Sequence, residues 1–74
     1  MNRYKVIFVK NEVISCAQIL THETEFEGEY YYEHDKANLI FAIIKAENPA
    51  AAIAKCDEIV KEVTNKVLGT DYVN

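Results

Sequence analysis

The pattern of hydrophobic and polar positions along the 74-residue chain predicts four strands followed by one helix. Residues 3 to 10 and 13 to 21 are rich in β-branched and aromatic side chains, which favour strands. Between them, Lys10-Asn11-Glu12 predicts a tight turn, because asparagine tolerates left-handed backbone angles. We therefore expect the first two strands to form a hairpin.

A third strand is predicted where residues 23 to 33 alternate between two faces. The acidic face carries Glu23, Glu25, Glu27, Glu29, Tyr31 and Glu33. The other face carries Thr24, Phe26, Gly28, Tyr30 and Tyr32. A period of two is typical of a strand with one wet and one buried face, so Tyr30 and Tyr32 are expected in the core and Tyr31 on the surface. Gly28 leaves an alternative open, because glycine inside a strand often marks a bend. In that alternative, residues 22 to 28 form a polar loop and a short strand covers residues 29 to 33.

A fourth strand is predicted over residues 39 to 47, and it is apolar on both faces. Leu39, Phe41 and Ile43 fall on one face, and the opposite face carries Ile40, Ala42, Ile44 and Ala46. Strands that are covered on both sides have this composition. A register slip of one residue exchanges the two faces, so the pattern leaves the pairing open.

The C-terminal helix has start and stop signals. Asn48 is a good N-cap, Pro49 suits the first helical position, and Gly69 is a typical C-terminal stop. Apolar residues gather on one side at helical spacing: Ala52, Ile53, Cys56, Ile59, Val60, Val63 and Val67. We expect a single domain over residues 1 to 69, with residues 70 to 74 as a loose tail.

Together these elements predict an α+β fold. It is an antiparallel sheet of three to four strands, in the order β-β-β-β-α, with one C-terminal helix packed on one face. One helix covers only one face of such a sheet, yet three of the strands are apolar on both. The simplest way to cover the second face is another copy of the chain, and a different protein partner is the other way. The sequence therefore predicts a homodimer or a small subunit of a complex. The expected dimer face is Ile7, Val9, Leu39, Phe41 and Ile43, or the opposite parity if the register shifts by one. The alternative cover is the tyrosine-bearing segment, folded over the same face.

The charge distribution suggests a second possible function. A net charge of −4 argues against direct nucleic-acid binding, which needs a basic surface. Glutamates on one face of a strand repeat at about 7 Å, close to the spacing of nucleic-acid phosphates. The alternative function is therefore an acidic phosphate-mimicking inhibitor of a nucleic-acid-binding protein. Its partner-binding residues would be Glu23, Glu25, Glu27, Glu29 and Tyr31. A solvated strand, charged to prevent aggregation, explains the same pattern without any partner.

Enzymatic chemistry has little support in the sequence. His22 and His34 are twelve residues apart, with no cysteine or second histidine at zinc-site spacing. Pairing Cys16 with His22 as a nucleophile and base would still lack a third group and an anion hole. No glycine-rich phosphate loop is present. We expect no catalytic, cofactor-binding or metal site, and hence a non-enzymatic binding or assembly module.

The sequence also predicts a cytoplasmic location. The N-terminus shows no signal peptide, and the longest apolar run, residues 39 to 44, is far too short to span a membrane. In that compartment Cys16 and Cys56 are expected to be reduced, and each has apolar neighbours among which a thiol acts as a small hydrophobe.

Overall fold

A computed structural model of the chain describes residues 1–21 and 26–67, which form one four-stranded antiparallel sheet and one helix. The elements are β1 (Asn2–Val9), β2 (Glu12–Ile19), β3 (Tyr30–Asp35), β4 (Asn38–Ala46) and α1 (Pro49–Val67). The order in the sheet is β2-β1-β4-β3, so β1 and β4 are central and β2 and β3 are the edges. The predicted α+β fold is confirmed. Gly69 and residues 70 to 74 lie outside the described residues.

The turn between β1 and β2 consists of two residues with positive φ, Lys10 at 54° and Asn11 at 64°. Two such residues match the right-handed twist of a hairpin, so the predicted tight turn is confirmed. The Asn11 side chain also reaches the turn between β3 and β4. It donates a hydrogen bond to the Ala37 carbonyl at 2.9 Å and accepts one from the Leu39 N–H at 2.8 Å. Both turns are therefore joined at the same end of the sheet.

The third strand is shorter than the alternating pattern predicts, because it begins only at Tyr30. Residues 27 to 29 form bends, and Gly28 has a φ of 93°, which strands do not use and most side chains avoid. The prediction of a continuous strand is therefore wrong for residues 26 to 29. A loop followed by a short strand, the alternative interpretation, is closer to the structure. Residues 22 to 25 lie outside the described part of the chain.

A bulge in the pairing of β3 with β4 corrects the predicted faces of β4. Glu33 pairs with Phe41 and His34 pairs with Leu39, which leaves Ile40 as the extra residue. Leu39 thus turns toward the helix, where it is 2% exposed, instead of sharing a face with Phe41. The buried core between sheet and helix consists of Tyr4, Val6, Phe8, Leu39, Ala42, Ile44, Ala46, Ala52, Cys56, Ile59 and Val63.

Helix α1 begins as the sequence predicts. The side-chain oxygen of Asn48 accepts a hydrogen bond from the Ala51 N–H at 2.8 Å, which is an N-cap. The buried residues of α1 are Ala52, Cys56, Ile59 and Val63, with Val60 and Val67 packed at the border of the core. Ile53 is 44% exposed, so its predicted burial is wrong. It lies about 100° around the helix from Ala52, outside the stripe that contacts the sheet. Within the described residues, no helix combines the length and apolar character needed to cross a membrane.

Candidate protein-binding surface

The sheet face turned away from α1, which we call the open face, consists of the strand residues that alternate with the core residues. From the central strands it takes Arg3, Lys5, Ile7 and Val9 of β1 and Phe41, Ile43 and Lys45 of β4. From the edges it takes Glu12, Ser15, Ala17 and Ile19 of β2 and Tyr31, Glu33 and Asp35 of β3. The face is therefore built from all four strands.

Three apolar side chains of the open face are accessible. Ile7 is 37% exposed, Val9 52% and Tyr31 43%. The rings of Tyr31 and Phe41 lie 6.4 Å apart, and Tyr31 donates a hydrogen bond to the Glu33 carboxylate. Exposed aromatic and branched aliphatic side chains on one face of a sheet are typical of a protein-binding surface.

Of the five residues predicted to form the dimer face, Ile7, Val9, Phe41 and Ile43 share the open face. Leu39 does not, because the β4 bulge turns it into the core beneath α1. The bulge depends on the pairing of β4 with β3, which the alternation of β4 alone does not contain.

Phe26 covers one part of the open face. Its ring lies 6.3 Å from the Tyr31 ring, and Lys45 Nζ lies 4.6 Å from its centroid. The Lys45 ammonium also donates a hydrogen bond to the Phe26 carbonyl at 2.8 Å. Tyr31 and Lys45 flank Ile43, which accounts for Ile43 being only 6% exposed on a face without a helix. Phe26, from the segment that precedes the tyrosines, thus covers the open face beside Tyr31 and Lys45, as the alternative prediction has it. Ile7 remains accessible.

Among the strand residues of the open face, cations and carboxylates lie toward opposite ends, although Lys10 and Lys36 in the two turns adjoin the carboxylates and Glu47 adjoins the cations. Three cations lie toward the end where β1 begins and β4 ends: Arg3, Lys5 and Lys45. Three carboxylates lie toward the opposite end: Glu12, Glu33 and Asp35. This arrangement could not be predicted from the sequence, because it depends on the pairing of Arg3 with Lys45. These residues belong to strands that are neighbours in the sheet but far apart in sequence.

Tyr30 and Tyr32 lie on the other face of β3 and bind the helix. The Tyr32 hydroxyl donates a hydrogen bond to one Glu62 carboxylate oxygen at 2.7 Å, and the Tyr30 hydroxyl donates to the other. The two rings stack with centroids 6.1 Å apart. These bonds to a carboxylate raise the pKa of each tyrosine to about 12 and lower the pKa of Glu62. Tyr31 is exposed, as predicted, whereas Tyr30 and Tyr32 face the predicted side but are only partly buried at the border of the core and do not belong to it.

The predicted glutamate ladder is described only in part. Glu23 and Glu25 lie outside the described residues, and Glu27 and Glu29 are exposed in bends instead of a strand. The Glu29 carboxylate forms an ion pair with Lys55 Nζ at 2.9 Å, and this hydrogen bond raises the pKa of Lys55. No regular ladder exists at Glu27 and Glu29, and the proposal of acidic mimicry stays a prediction without support from the described geometry.

Neither cysteine has the environment of an activated nucleophile. Cys56 is buried, and burial raises the pKa of its thiol to about 11. Burial also raises the pKa of the half-buried Cys16. Reactive cysteines instead have a lowered pKa, because the thiolate is the nucleophile. Across residues 1–21 and 26–67, no three His, Cys, Asp or Glu side chains are grouped to hold a metal ion.

Comparisons with protein families, with curated proteins and with solved structures give no match for the chain.

Proposed function

We propose that the protein is a small non-enzymatic assembly module that binds a protein partner through the open face. The observation that carries this proposal is the exposure of Ile7, Val9 and Tyr31 on a sheet face that α1 does not cover. Such a module would act either as a homodimer or as a small subunit of a larger complex.

The exposed apolar surface of the open face is large in relation to the stability of so small a domain. Burying apolar surface stabilises a protein by about 25 cal/mol per Å². Several apolar side chains left exposed to solvent therefore represent several kcal/mol of stabilisation that the monomer does not gain. A chain of 74 residues has a net stability of only about 4 to 11 kcal/mol, at roughly 0.05 to 0.15 kcal/mol per residue. Covering the open face would thus add a large fraction of that stability, which favours a bound state.

The side chains also suit an interface. Tyr31 is held by its hydrogen bond to Glu33, and Lys5 Nζ lies 5.0 Å from the Phe41 centroid. Aromatic residues held in one orientation lose little conformational entropy on binding, and they are enriched among the residues that dominate interface energies.

The proposal is tested by photo-crosslinking in cells, with a benzophenone amino acid placed at Val9 or at Ile53. The two positions have similar exposure, 52% and 44%, but Val9 lies on the open face and Ile53 on the helix. We expect a discrete covalent adduct with a protein, whether another copy or a different chain, from Val9 only. Adducts from neither position, or the same adducts from both, would refute binding through the open face.

A further inference from the structure

We infer that the open face contains a binding site for one aromatic residue of the partner, and that Phe26 of the chain itself occupies this site when no partner is bound. This inference rests on the proposed function and specifies what the partner contributes. The observation behind it is the way in which Phe26 is held. Lys45 Nζ lies 4.6 Å from the centroid of the Phe26 ring and donates a hydrogen bond to the Phe26 carbonyl at 2.8 Å. One ammonium group thus contacts both the ring and the backbone of a single aromatic residue.

The site lies near the centre of the open face. Ile43 belongs to the central strand β4, where it pairs with Tyr31 on one side and with Lys5 on the other. Phe26 lies beside Tyr31 and Lys45, the residues that flank Ile43, and Ile43 is only 6% exposed. The residues that dominate an interface lie near its centre, in positions shielded from water. Phe26 therefore occupies a position that suits the anchoring residue of a partner.

Phe26 does not belong to the core that holds the domain together. It lies outside regular secondary structure, directly before the bends at residues 27 to 29, and outside the buried cluster between the sheet and α1. Its ring is held by Tyr31 and Lys45, which both belong to the open face. Another aromatic ring can therefore take its place without opening the core.

These contacts define the ligand as an aromatic residue within a polypeptide. The face of an aromatic ring attracts an ammonium group, and a second ring at a tilted angle adds a further favourable contact. The rings of Phe26 and Tyr31 are inclined at 43° with centroids 6.3 Å apart. An aliphatic side chain offers neither contact. A free aromatic compound lacks the backbone carbonyl that accepts the hydrogen bond from Lys45, whereas an aromatic residue of a partner protein supplies both the ring and the carbonyl.

Phe26 competes with such a residue because it belongs to the same chain. It precedes Tyr30, the first residue of β3, by only four positions. Over so short a connection the effective concentration of an internal ligand is in the millimolar range or higher, on the order of 1 to 10 mM. A lone aromatic residue therefore does not displace Phe26. A partner that also covers Ile7 and Val9 gains enough additional contact to do so, which restricts the site to partners that bind the whole open face.

The first test uses N-acetyl-L-phenylalaninamide, which carries the ring and a backbone carbonyl, titrated into isotope-labelled protein and followed by NMR. Phe26→Ala removes the internal ring but leaves Tyr31, Ile43 and Lys45 in place. The Lys45 ammonium has three donors, so it can bond the probe while it still bonds the carbonyl of residue 26. For a probe of about fifteen non-hydrogen atoms we expect a dissociation constant on the order of 1 mM, with shifts at these three residues. The wild type should bind the probe at least about tenfold more weakly, because Phe26 occupies the site.

The controls separate this site from general stickiness of the surface. N-acetyl-L-alaninamide, which has no ring, should not bind Phe26→Ala. Ile53→Ala, which shortens an exposed side chain on α1, should behave like the wild type. Adding Lys45→Met to Phe26→Ala should weaken binding of the phenylalanine probe by about tenfold, since the cation is lost while most of the apolar stem remains. Circular dichroism verifies folding, and Phe26→Val replaces the alanine variant if that variant is unfolded.

Three results of the titration would overturn the inference: no binding by the folded Phe26 variant, equal binding by the wild type, or binding unaffected by Lys45→Met. The second test repeats the photo-crosslinking from Val9 in the Phe26→Ala background. The yield of the Val9 adduct should rise severalfold, because the partner no longer competes with Phe26. A lower yield would show that Phe26 itself binds the partner and would also overturn the inference. A Val9 adduct from a protein that fails the titration would leave the proposed function standing and remove the aromatic site alone.

Discussion

Ile59 offers the most direct test of how α1 packs on the sheet. Its side chain is fully buried in the middle of the helix and belongs to the core cluster. Ile59→Ala removes three carbon atoms and leaves a cavity, which costs about 2 to 5 kcal/mol in well-packed cores. Alanine has the higher helix propensity, which returns less than about 0.7 kcal/mol. A net loss of about 3 kcal/mol is a large part of a total stability of roughly 4 to 11 kcal/mol.

The same substitution at Ile53 provides the control, because Ile53 occupies the same helix but is 44% exposed. There the smaller loss of apolar contact is offset by the gain in helix propensity, so the expected change is within about 0.5 kcal/mol. For a domain of this size, about 3 kcal/mol lowers the melting temperature by roughly 12 to 24 °C.

The assay is urea and thermal unfolding followed by circular dichroism. Protein concentration is held fixed, because assembly makes the melting temperature depend on it. Equal shifts for Ile59→Ala and Ile53→Ala, or a larger shift for Ile53→Ala, would show that the buried stripe of α1 has been assigned to the wrong side.

Three further predictions concern other contacts. Because the folded-state pKa of Tyr32 is raised from 10.0 to about 12, the stability that its bond to Glu62 provides is complete below pH 10 and is lost as pH rises from 10 to 12. Wild-type protein should thus lose more stability over that range than Tyr32→Phe in urea titrations, and parallel losses would contradict the hydrogen bond. Asn11→Gly keeps the positive φ but deletes the two bonds to the second turn, so urea unfolding should show a loss of about 1 to 2 kcal/mol; an unchanged midpoint would show that the bonds between the turns add no stability. Cys56 should react with a thiol reagent much more slowly than Cys16, as mass spectrometry of the native protein can measure; equal rates would mean that Cys56 is not enclosed.

Features set by local chemistry could be predicted from the sequence. The turn at Lys10 and Asn11 follows from the tolerance of asparagine for positive φ, and the start of α1 follows from Asn48 and Pro49. In both cases the residues that determine the conformation are neighbours in the chain. The strand order of the sheet has no such local signal. It depends on which strand of the first hairpin pairs with which strand of the second, here β1 with β4.

The beginning of β3 and the face of Leu39 could not be predicted, for two different reasons. Alternation through residues 23 to 33 indicates only that the side chains suit a strand, whereas Gly28 permits a backbone angle that ends one. Leu39 changes face because a bulge forms when β4 pairs with β3. That bulge is a property of the pair of strands, and neither strand shows it alone.

The candidate site was predictable as an apolar face but not as a charged one. Ile7, Val9, Phe41 and Ile43 follow from strand alternation once the helix is assigned to the opposite side. The separation of cations from carboxylates requires the register of all four strands. The ion pair between Glu29 and Lys55 was likewise invisible, since it joins the loop before β3 to the helix.

The pairing of β1 with β4 has a consequence for how the chain folds. Each of the two hairpins closes through a two-residue turn, so each can form within microseconds from residues that are close in sequence. The central ladder instead joins Asn2 to Ala46, which must find each other across most of the chain. Such non-local contacts slow folding, because the entropy of closing the loop is lost before the contacts form. The transition state should therefore be the encounter of two preformed hairpins. Since loop-closure entropy grows only logarithmically, doubling the ten-residue connection at positions 20 to 29 would add only about 0.6 kcal/mol to that step.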